Sequence, residues 1–404
     1  MTQRLRIAAT GFVEEGAGSI ASANTILLRE WLAAGCEVDF FSKATFVDPR
    51  GALGAAKGFR FFDVRNAWAD QLRRSAERVP LVGLLASRID TTTYHRALCA
   101  AIAREHRQRP YDVCLWLGDY SRGRIAGLPT VSFAQGPPGT DARAMIRHFE
   151  LIRTIAGLRR AIPLLVLARL RLSLGLPEFE RTDRILVGSS QSRNTLVEQF
   201  GVAAARVGCL PYPIEPERFP VADGPRGEFT AIWLGRMVPR KRLDVFLDGA
   251  AQAISEGCDL RLMLVGSPGY IPQQAQWIEQ FPFPDRLEWT RSMPRSEVPR
   301  LFARGHVLVQ PSEEEDFGSS VAEAQMSGLP VIVGPTNGNR DYAGPNDVVL
   351  PNASPSTLAA ALKKMAAEWN SRWLQENRRH AEAIFDPPRV AGRFLDEIRT
   401  VVSR

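Results

Sequence analysis

Two glutamates eight residues apart, Glu315 and Glu323, form the pattern in this sequence that points most directly to chemistry. The residues around them predict a buried strand that ends at Pro311, a loop, and a helix that begins at Ser319 or Ser320, either of which could cap it. The start of such a helix favours an anionic ligand, because its N–H groups lack partners there. Each carboxylate can also accept hydrogen bonds from neighbouring hydroxyls, Glu323 from a ribose and Glu315 from a hexose. A bare pair of glutamates is more often a solvated acidic loop, so the surrounding sequence decides.

The surrounding sequence resembles family 4 of the glycosyltransferases, and the resemblance recurs in family order along nearly the whole chain. It is carried by the segment from Pro311 and by four further blocks: WLGRMVPRKRLDVF from Trp233, LMLVGSPG from Leu262, DRILVGSSQSRNTL from Asp183 with VGCLPYPIEPERF after it, and GFVEEGAGSIASANTILLREWLAAGCEVDFFS from Gly11. The resemblance implies an α/β protein of the GT-B fold, in which two doubly wound, Rossmann-like parallel-sheet domains face a deep cleft. It also implies a nucleoside diphosphate sugar as the donor.

By this resemblance, Arg236 and Lys241 hold the donor pyrophosphate, where their fixed charge stabilises the negative charge that develops as the glycosidic bond breaks. Glu315 completes the predicted catalytic set. The other predicted donor contacts are Gly16, Gly18, Gln135, Gly235, Gly266, Met293, Phe317, Gly318, Ser319 and Glu323. Neither a metal nor a cofactor is expected, because the chain lacks an Asp-x-Asp motif and the two cations would replace the metal's electrostatic role. The alternatives are a basic surface turn at Arg236 and a plain flexible turn at the glycines.

In the first half of the chain, Gln135 departs from the family pattern and Asp141 has two alternative roles. Many relatives place a His after the strand predicted at residues 130–133, where this chain has Gln135, which does not titrate near neutral pH but can orient a sugar. This departure leaves open a GT-B-like sugar-nucleotide-binding protein with little or no turnover. Asp141 could orient an acceptor hydroxyl or cap a helix that begins near Ala142.

A second function class is suggested by residues 16–21, which satisfy the G-x-G-x-x-A pattern of dinucleotide-binding proteins, with Asp39 at a suitable distance. Such a pattern would favour an NAD(P)-dependent oxidoreductase. Two details disfavour it. Residues 11–15 separate the first strand from the glycines, and Asp39 lies in the middle of the second predicted strand rather than at its end.

The composition is typical of a large soluble α/β enzyme. At 404 residues the chain exceeds what one hydrophobic core organises, which predicts two domains. The five cysteines lie far apart and without a Cys-x-x-Cys, so neither a zinc site nor a disulfide framework is predicted. The first ten residues lack the apolar core of a signal peptide, and no apolar run reaches the roughly 18 residues of a membrane span. We therefore expect a cytoplasmic protein.

The net charge of +7 suggests an anionic partner or location. Arginines are concentrated between Arg65 and Arg171 and alternate with long apolar pieces, above all in residues 151–176. Peripheral attachment to anionic lipid on the inner face of the membrane would use this combination, but so would ordinary helices with arginines on their wet face. Gly157, Pro163 and Gly175 are expected to break a single long amphipathic helix. Nucleic acid is not expected, because no recognised binding module is present.

Strand and helix patterns alternate twice along the chain, which predicts the two parallel sheets that would position these residues. The predicted strands cover residues 5–10, 38–42, 113–117, 130–133 and 185–187, and then 229–234, 260–265, 287–290, 307–310 and 330–333. A Pro-rich stretch from Pro211 predicts the linker. The expected domains are 1–209 and 210–385, and the family resemblance implies that a helix at about 386–404 crosses back to the first domain. The resemblance to family 4 implies that the chain is a retaining, metal-independent hexosyltransferase that acts on a hydroxyl of a glycan, glycolipid or small molecule.

Overall fold

The computed structural model describes residues 4–13, 19–44, 50–65, 80–221 and 227–403. In the first half of this described part, seven strands form one parallel sheet: β1 (Arg6–Gly11), β2 (Glu37–Ser42), β3 (Phe59–Asp63), β4 (Val113–Leu117), β5 (Thr130–Phe133), β6 (Arg184–Val187) and β7 (Val207–Cys209). Their order in the sheet is β3-β2-β1-β4-β5-β6-β7. Because helices cover both faces, the strands are continuous apolar runs, and all five residues of β4 are buried.

A second parallel sheet follows in the second half. It contains β8 (Phe229–Leu234), β9 (Leu260–Val265), β10 (Leu287–Thr290), β11 (Val307–Gln310), β12 (Val331–Val333) and β13 (Val348–Val349). The strands are ordered β10-β9-β8-β11-β12-β13. As in the first sheet, the chain adds its first strands on one side and its later strands on the other, and this switch in strand order lies between β8 and β11. Ligands of such sheets bind at the carboxyl ends of the strands beside the switch. Those two ends carry the Arg236 and Glu315 segments.

Helices surround both sheets. Those of the first half are α1 (Ser19–Ala33), α2 (Arg50–Leu53), α3 (Pro80–Gln108), α4 (Thr140–Arg147), α5 (Phe149–Ala156), α6 (Leu158–Gly175) and α7 (Ser190–Glu198). The second half contributes α8 (Leu243–Ser255), α9 (Ala275–Glu279), α10 (Val298–Ala303), α11 (Ser319–Met326), α12 (Pro355–Glu368), α13 (Arg372–Phe385) and α14 (Pro387–Val402). Among the described residues, none of these helices is both long enough and apolar enough to cross a bilayer.

The predicted architecture of two doubly wound parallel sheets is confirmed, and all ten predicted strands are present within one or two residues at their ends. Three further strands, β3, β7 and β13, were not predicted. β3 lies at the edge of its sheet with no fully buried residue, β7 has three residues and β13 only two. Such short or edge strands lack the long apolar run on which the prediction depends.

The last helix of the described chain, α14, packs on the first half of the molecule. The rings of Phe394 and Trp31 meet edge to face at 4.9 Å, and Trp31 Nε1 donates a 3.2 Å hydrogen bond to the carbonyl of Ala391. The aromatic contact therefore joins α14 to α1, far away in sequence. We retain the division into 1–209 with 386–404, and 210–385, as a prediction.

Candidate functional site

A cavity of about 360 Å³ lies between the two sheets, where the ends of β8 and β11 face the first half of the chain. Second-half loops provide most of its wall. Its lining includes Ile20, Gln135, Thr140, Tyr212, Gly235, Arg236, Arg240, Lys241, Arg295, Glu314, Glu315, Asp316, Phe317, Gly318, Ser319, Ser320 and Glu323. The structure thus brings together the predicted basic pair, both predicted glutamates and Gln135.

The predicted basic pair, Arg236 and Lys241, has two different environments. The Arg236 side chain is 68% exposed and reaches to 3.8 Å from Asp141 across the cleft. Lys241 ends a short helical turn, Pro239–Lys241, and is buried, with its Nζ 2.7 Å from Glu315 Oε2 and 3.2 Å from Gln310 Oε1. Burial lowers the pKa of Lys241, while the Glu315 charge opposes that shift. Lys241 is therefore a fixed cation in the wall, and Arg236 is a solvated one at the mouth.

The Glu315 carboxylate forms ion pairs with two cations. Its Oε2 lies 2.6 Å from Arg240 Nη1 and 2.7 Å from Lys241 Nζ. Burial alone would raise the pKa of this carboxyl, but the Arg240 and Lys241 charges outweigh it and lower the pKa to about 2. Glu315 is thus an anion at any physiological pH.

Arg240 is a residue of this site that the sequence reasoning missed. Besides Glu315, its Nε donates a 2.6 Å hydrogen bond to Asp141 Oδ1, so it links the two halves of the molecule across the cleft. The run Arg240-Lys241-Arg242 was a visible signal, but it did not show which of the three would face inward. One interpretation predicted that Asp141 caps a helix, and the structure shows that it does not. It lies inside α4, which begins at Thr140 after Gly139 (φ 68°) and has no side-chain cap.

The helix that opens on the cavity, α11, begins differently from the prediction. Gly318 precedes it with φ 76°, and no side chain caps it, so the predicted capping by Ser319 or Ser320 is wrong. Within the described chain, the N–H groups of these two serines have no acceptor. The left-handed conformation at Gly318 favours glycine and leaves the helix start open to the cavity, the arrangement that suits an anionic ligand.

Glu323 lies one turn into α11 and is buried. Its Oε1 accepts a 2.5 Å hydrogen bond from Arg295 Nη2, a partner that the sequence did not indicate. Burial raises the pKa of this carboxyl to about 7, with the Arg295 charge opposing. Near neutral pH the carboxyl therefore lies close to its titration midpoint.

The remaining predicted contacts divide into three groups. Gly235 and Phe317 line the cavity, and the Phe317 ring stacks on Tyr212 with centroids 4.5 Å apart. Gly266 and Met293 are not among the described lining residues. A Cβ on Gly266 would lie 2.0 Å from the Gly235 carbonyl oxygen, so this glycine is needed where two strand ends meet. The third group is Gly16 and Gly18, which lie outside the described residues.

An acidic run, Glu313 to Asp316, ties the second sheet to the first half of the chain. Glu314 lies 3.1 Å from Arg143 and also contacts Arg147, while Glu313 lies 2.8 Å from His148. Asp316 accepts hydrogen bonds from the Gly188 N–H at 3.0 Å and from the Tyr212 hydroxyl at 2.8 Å. These contacts fix the relative position of the two walls, and with it the distance between Gln135 and the basic pair.

The interpretation of the chain as a dinucleotide-binding oxidoreductase depends on Asp39 as a ribose-binding residue. In the structure Asp39 has a different role. Asp39 is buried in the middle of β2, as predicted, where its carboxylate accepts hydrogen bonds from Arg6, Arg60 and the Tyr111 hydroxyl. A ribose-binding carboxylate would need to face a cleft at the end of its strand. Asp39 is instead a core residue in a network of charged groups.

Sequence comparison identifies a glycosyltransferase domain in part of the chain. Residues 216–381 match the model of the family described as glycosyl transferases group 1, so the second half contains a domain of this kind. D-inositol 3-phosphate glycosyltransferase of Thermomonospora curvata is 26% identical over 212 residues, which are 46% of this chain and 49% of that protein. 2-Deoxystreptamine glucosyltransferase of Streptomyces kanamyceticus is 24% identical over 187 residues, or 43% and 46% of the two chains. The chain therefore spans about half the length of the curated relatives it matches.

Structural comparison covers nearly the whole chain and confirms the GT-B fold. The Anabaena protein HepE, solved in complex with UDP and glucose, has a TM-score of 0.63 at 15% identity, over 98% of this chain and all of its own. Sucrose-phosphate synthase of Thermosynechococcus elongatus has a TM-score of 0.63 at 16% identity, over 99% of this chain and all of its own. At these identities the likeness establishes the architecture alone.

Proposed function

We propose that this protein is a retaining, metal-independent glycosyltransferase of family 4, which transfers a hexose from a nucleoside diphosphate sugar to a hydroxyl acceptor. One observation carries the proposal: a buried lysine, an exposed arginine and an uncapped helix start converge on the same cavity as the partly buried Glu315 and the buried Glu323. This combination provides positive charge for a diphosphate and hydrogen-bond acceptors for sugar hydroxyls.

In this proposal the diphosphate lies between Lys241, Arg236 and the start of α11. The phosphate would share Lys241 with Glu315, whose Oε2 lies 2.7 Å from Nζ in the structure. As the glycosidic bond breaks, negative charge grows on the departing phosphate, and cations already fixed in place stabilise it without reorganisation. No metal is needed for this step. Gly16 and Gly18 would approach the phosphate from the opposite wall.

The sugar and ribose are assigned to the two glutamates. Glu315, with the amides of Phe317 and Gly318, would bind hexose hydroxyls, and Glu323 would accept hydrogen bonds from the ribose diol. Retention would follow a front-face path through an oxocarbenium-like state, in which the departing phosphate takes the proton of the acceptor hydroxyl. Gln135 would orient the sugar, and Asp141 the acceptor, so the enzyme supplies geometry and charge stabilisation.

The ligands and activities named for similar proteins indicate which donor to test first. HepE was solved with UDP-glucose as well as with UDP, and the sequence relatives include a glucosyltransferase. UDP-glucose is therefore the first donor to test. The acceptor is proposed as a glycan, a glycolipid or a small molecule with a free hydroxyl, and the setting as the cytoplasmic side of the cell.

A catalytically weak sugar-nucleotide-binding protein is the second candidate. Two points favour it: by the family resemblance Gln135 stands where many relatives have a His, and the Glu315 carboxylate is already ion-paired with Arg240 and Lys241. An NAD(P)-dependent oxidoreductase is not proposed, because Asp39 is committed to its core network.

The proposal is tested by following sugar transfer from UDP-glucose, GDP-mannose and ADP-glucose to a panel of hydroxyl acceptors in the presence of EDTA. We expect one donor to give a product whose anomeric configuration, read by NMR, equals that of the donor. An inverted product, or turnover that EDTA abolishes, would contradict the proposed mechanism. Donor binding without any transfer would favour the second candidate.

A further inference from the structure

Helix α6 (Leu158–Gly175) presents an apolar stripe to solvent. The side chains of Leu158, Ile162 and Val166 are 53%, 50% and 51% exposed, and their spacing of four residues places them on one face of the helix. On another face, Ala161 and Ala168 are buried in a cluster that contains residues of α4 and α5 and, from the second half of the chain, Ile271. The stripe therefore has no packing partner in the described part of the chain.

The same helix carries unpaired positive charge. Arg159, Arg160, Arg169 and Arg171 are all exposed, and the helix contains no acidic residue. None of these four arginines forms an ion pair with a described residue. Arg143 on the neighbouring α4, in contrast, is paired with Glu314. Helical spacing places Arg159 and Arg169 beside the apolar stripe, and Arg160 and Arg171 further round the exposed side of the helix.

The helix is continuous, which removes an objection raised by the sequence. Pro163 was expected to break a long helix, but it lies inside α6, where the helix runs from Leu158 to Gly175. Gly157 separates α5 from α6, and Gly175 is the last helical residue, so those two predicted breaks are confirmed. A helix of 18 residues remains for the surface.

We propose that the exposed face of α6 docks on an anionic lipid bilayer. Apolar side chains on such a helix enter the boundary between headgroups and acyl chains, while arginines at the same level contact lipid phosphates. A second copy of this chain is a poorer occupant, because pairing two such faces would bring unpaired arginines together.

Helix α6 packs beside the start of α4, so docking on α6 would bring the bilayer near the cleft. Leu172 packs against Gly139, where an added Cβ would lie 2.3 Å from its Cδ2, and Gly139 directly precedes α4. Asp141 of α4 reaches Arg240 in the cavity wall. A docked bilayer would therefore lie beside the cleft and give it access to an acceptor held in the lipid, a consequence that rests on the proposed function.

The docking is tested by co-sedimentation of the full-length protein with two kinds of vesicle, phosphatidylcholine alone and phosphatidylcholine mixed with phosphatidylglycerol. We expect binding to the anionic vesicles only, weakened by added salt. Two double variants, Ile162→Ser with Val166→Ser, and Arg159→Gln with Arg169→Gln, should each lower the partition coefficient roughly tenfold or more. Both pairs are exposed, so folding is not expected to change.

The matched control is Arg372→Gln with Arg379→Gln, which removes the same charge from exposed positions of α13. It should bind like the wild type. Equal binding to both vesicle types, absence of binding to either, or an equal loss in the control variant would overturn the proposal. So would a wild-type dimer in analytical ultracentrifugation that the serine variant alone dissociates, because the face would then belong to a second copy. Sugar transfer to a soluble acceptor, measured separately, tests the proposed function on its own.

Discussion

Lys241→Met should lower the rate of sugar transfer by about 10²- to 10³-fold at saturating donor, because it removes a fixed cation from the position where the departing phosphate gains charge. Methionine keeps the length and apolar body of the lysine, so the buried wall stays filled. Glu315 keeps its second cation, Arg240, at 2.6 Å and is not left as an unpaired buried charge. The loss is therefore expected in the chemical step more than in folding.

The measurement compares kcat and kcat/KM for the variant and the wild type with the donor that proves active. Lys364→Met, at an exposed position of α12, is the matched control and should retain wild-type rates. If Lys241→Met changed only KM, the lysine would bind donor and transition state equally and would not be a catalytic residue.

Glu323→Gln should make the protein more stable at pH 7.5, by about 2 kcal/mol, while it weakens nucleotide binding. The pKa of Glu323 in the folded protein, about 7, lies above its ordinary value of 4.5. Stability gained from the protonated carboxyl is therefore complete below pH 4.5 and is lost as the pH rises through 7. Glutamine stays neutral at every pH, so the advantage of the variant should shrink steadily as the pH falls from 7.5 to 5.

Urea unfolding at several pH values measures this difference in the free energy of unfolding. Glu279→Gln, which changes an exposed carboxylate in α9, serves as the control and should not reproduce the pH-dependent gain. A Glu323→Gln variant that is less stable than the wild type at pH 7.5 would contradict the prediction. It would mean that the Arg295 contact at 2.5 Å outweighs the cost of burying the charge.

A residue that binds ligand at a cost in stability is typical of functional sites. Glu323 fits this description because its carboxylate is buried in the helix that opens on the cavity, where a neutral side chain would be more stable. The same position would then combine a stabilising substitution with a loss of binding, an outcome that separates a functional role from a structural one.

Much of the fold was predictable from sequence, because buried parallel strands are short apolar runs that end in turn residues. The strand at residues 113–117 was predicted with its observed ends for this reason. The edge strand β3 was not, since its residues are only partly buried and resemble a loop. Sequence periodicity reports burial, and it loses its signal where burial is incomplete.

The candidate site was predictable in position but not in its internal contacts. Local motifs placed Lys241, Glu315 and Glu323 at one edge of one sheet, and in the structure all three line the same cavity. Arg240 and Arg295 were missed because their importance arises from contacts 75 and 28 residues away in sequence. The start of α11 was misassigned because serine is a frequent cap, whereas here Gly318 provides the turn.

The most direct test of the central claim is calorimetric titration of the protein with UDP, GDP, ADP and NAD, repeated with Arg236→Ala, Glu323→Ala and the control Arg372→Ala. We predict that one nucleoside diphosphate binds, that the first two substitutions weaken it and the control does not, and that NAD gives no heat. Binding of NAD that survives both substitutions, or no binding of any nucleoside diphosphate, would contradict the assignment of this cleft as a sugar-nucleotide site.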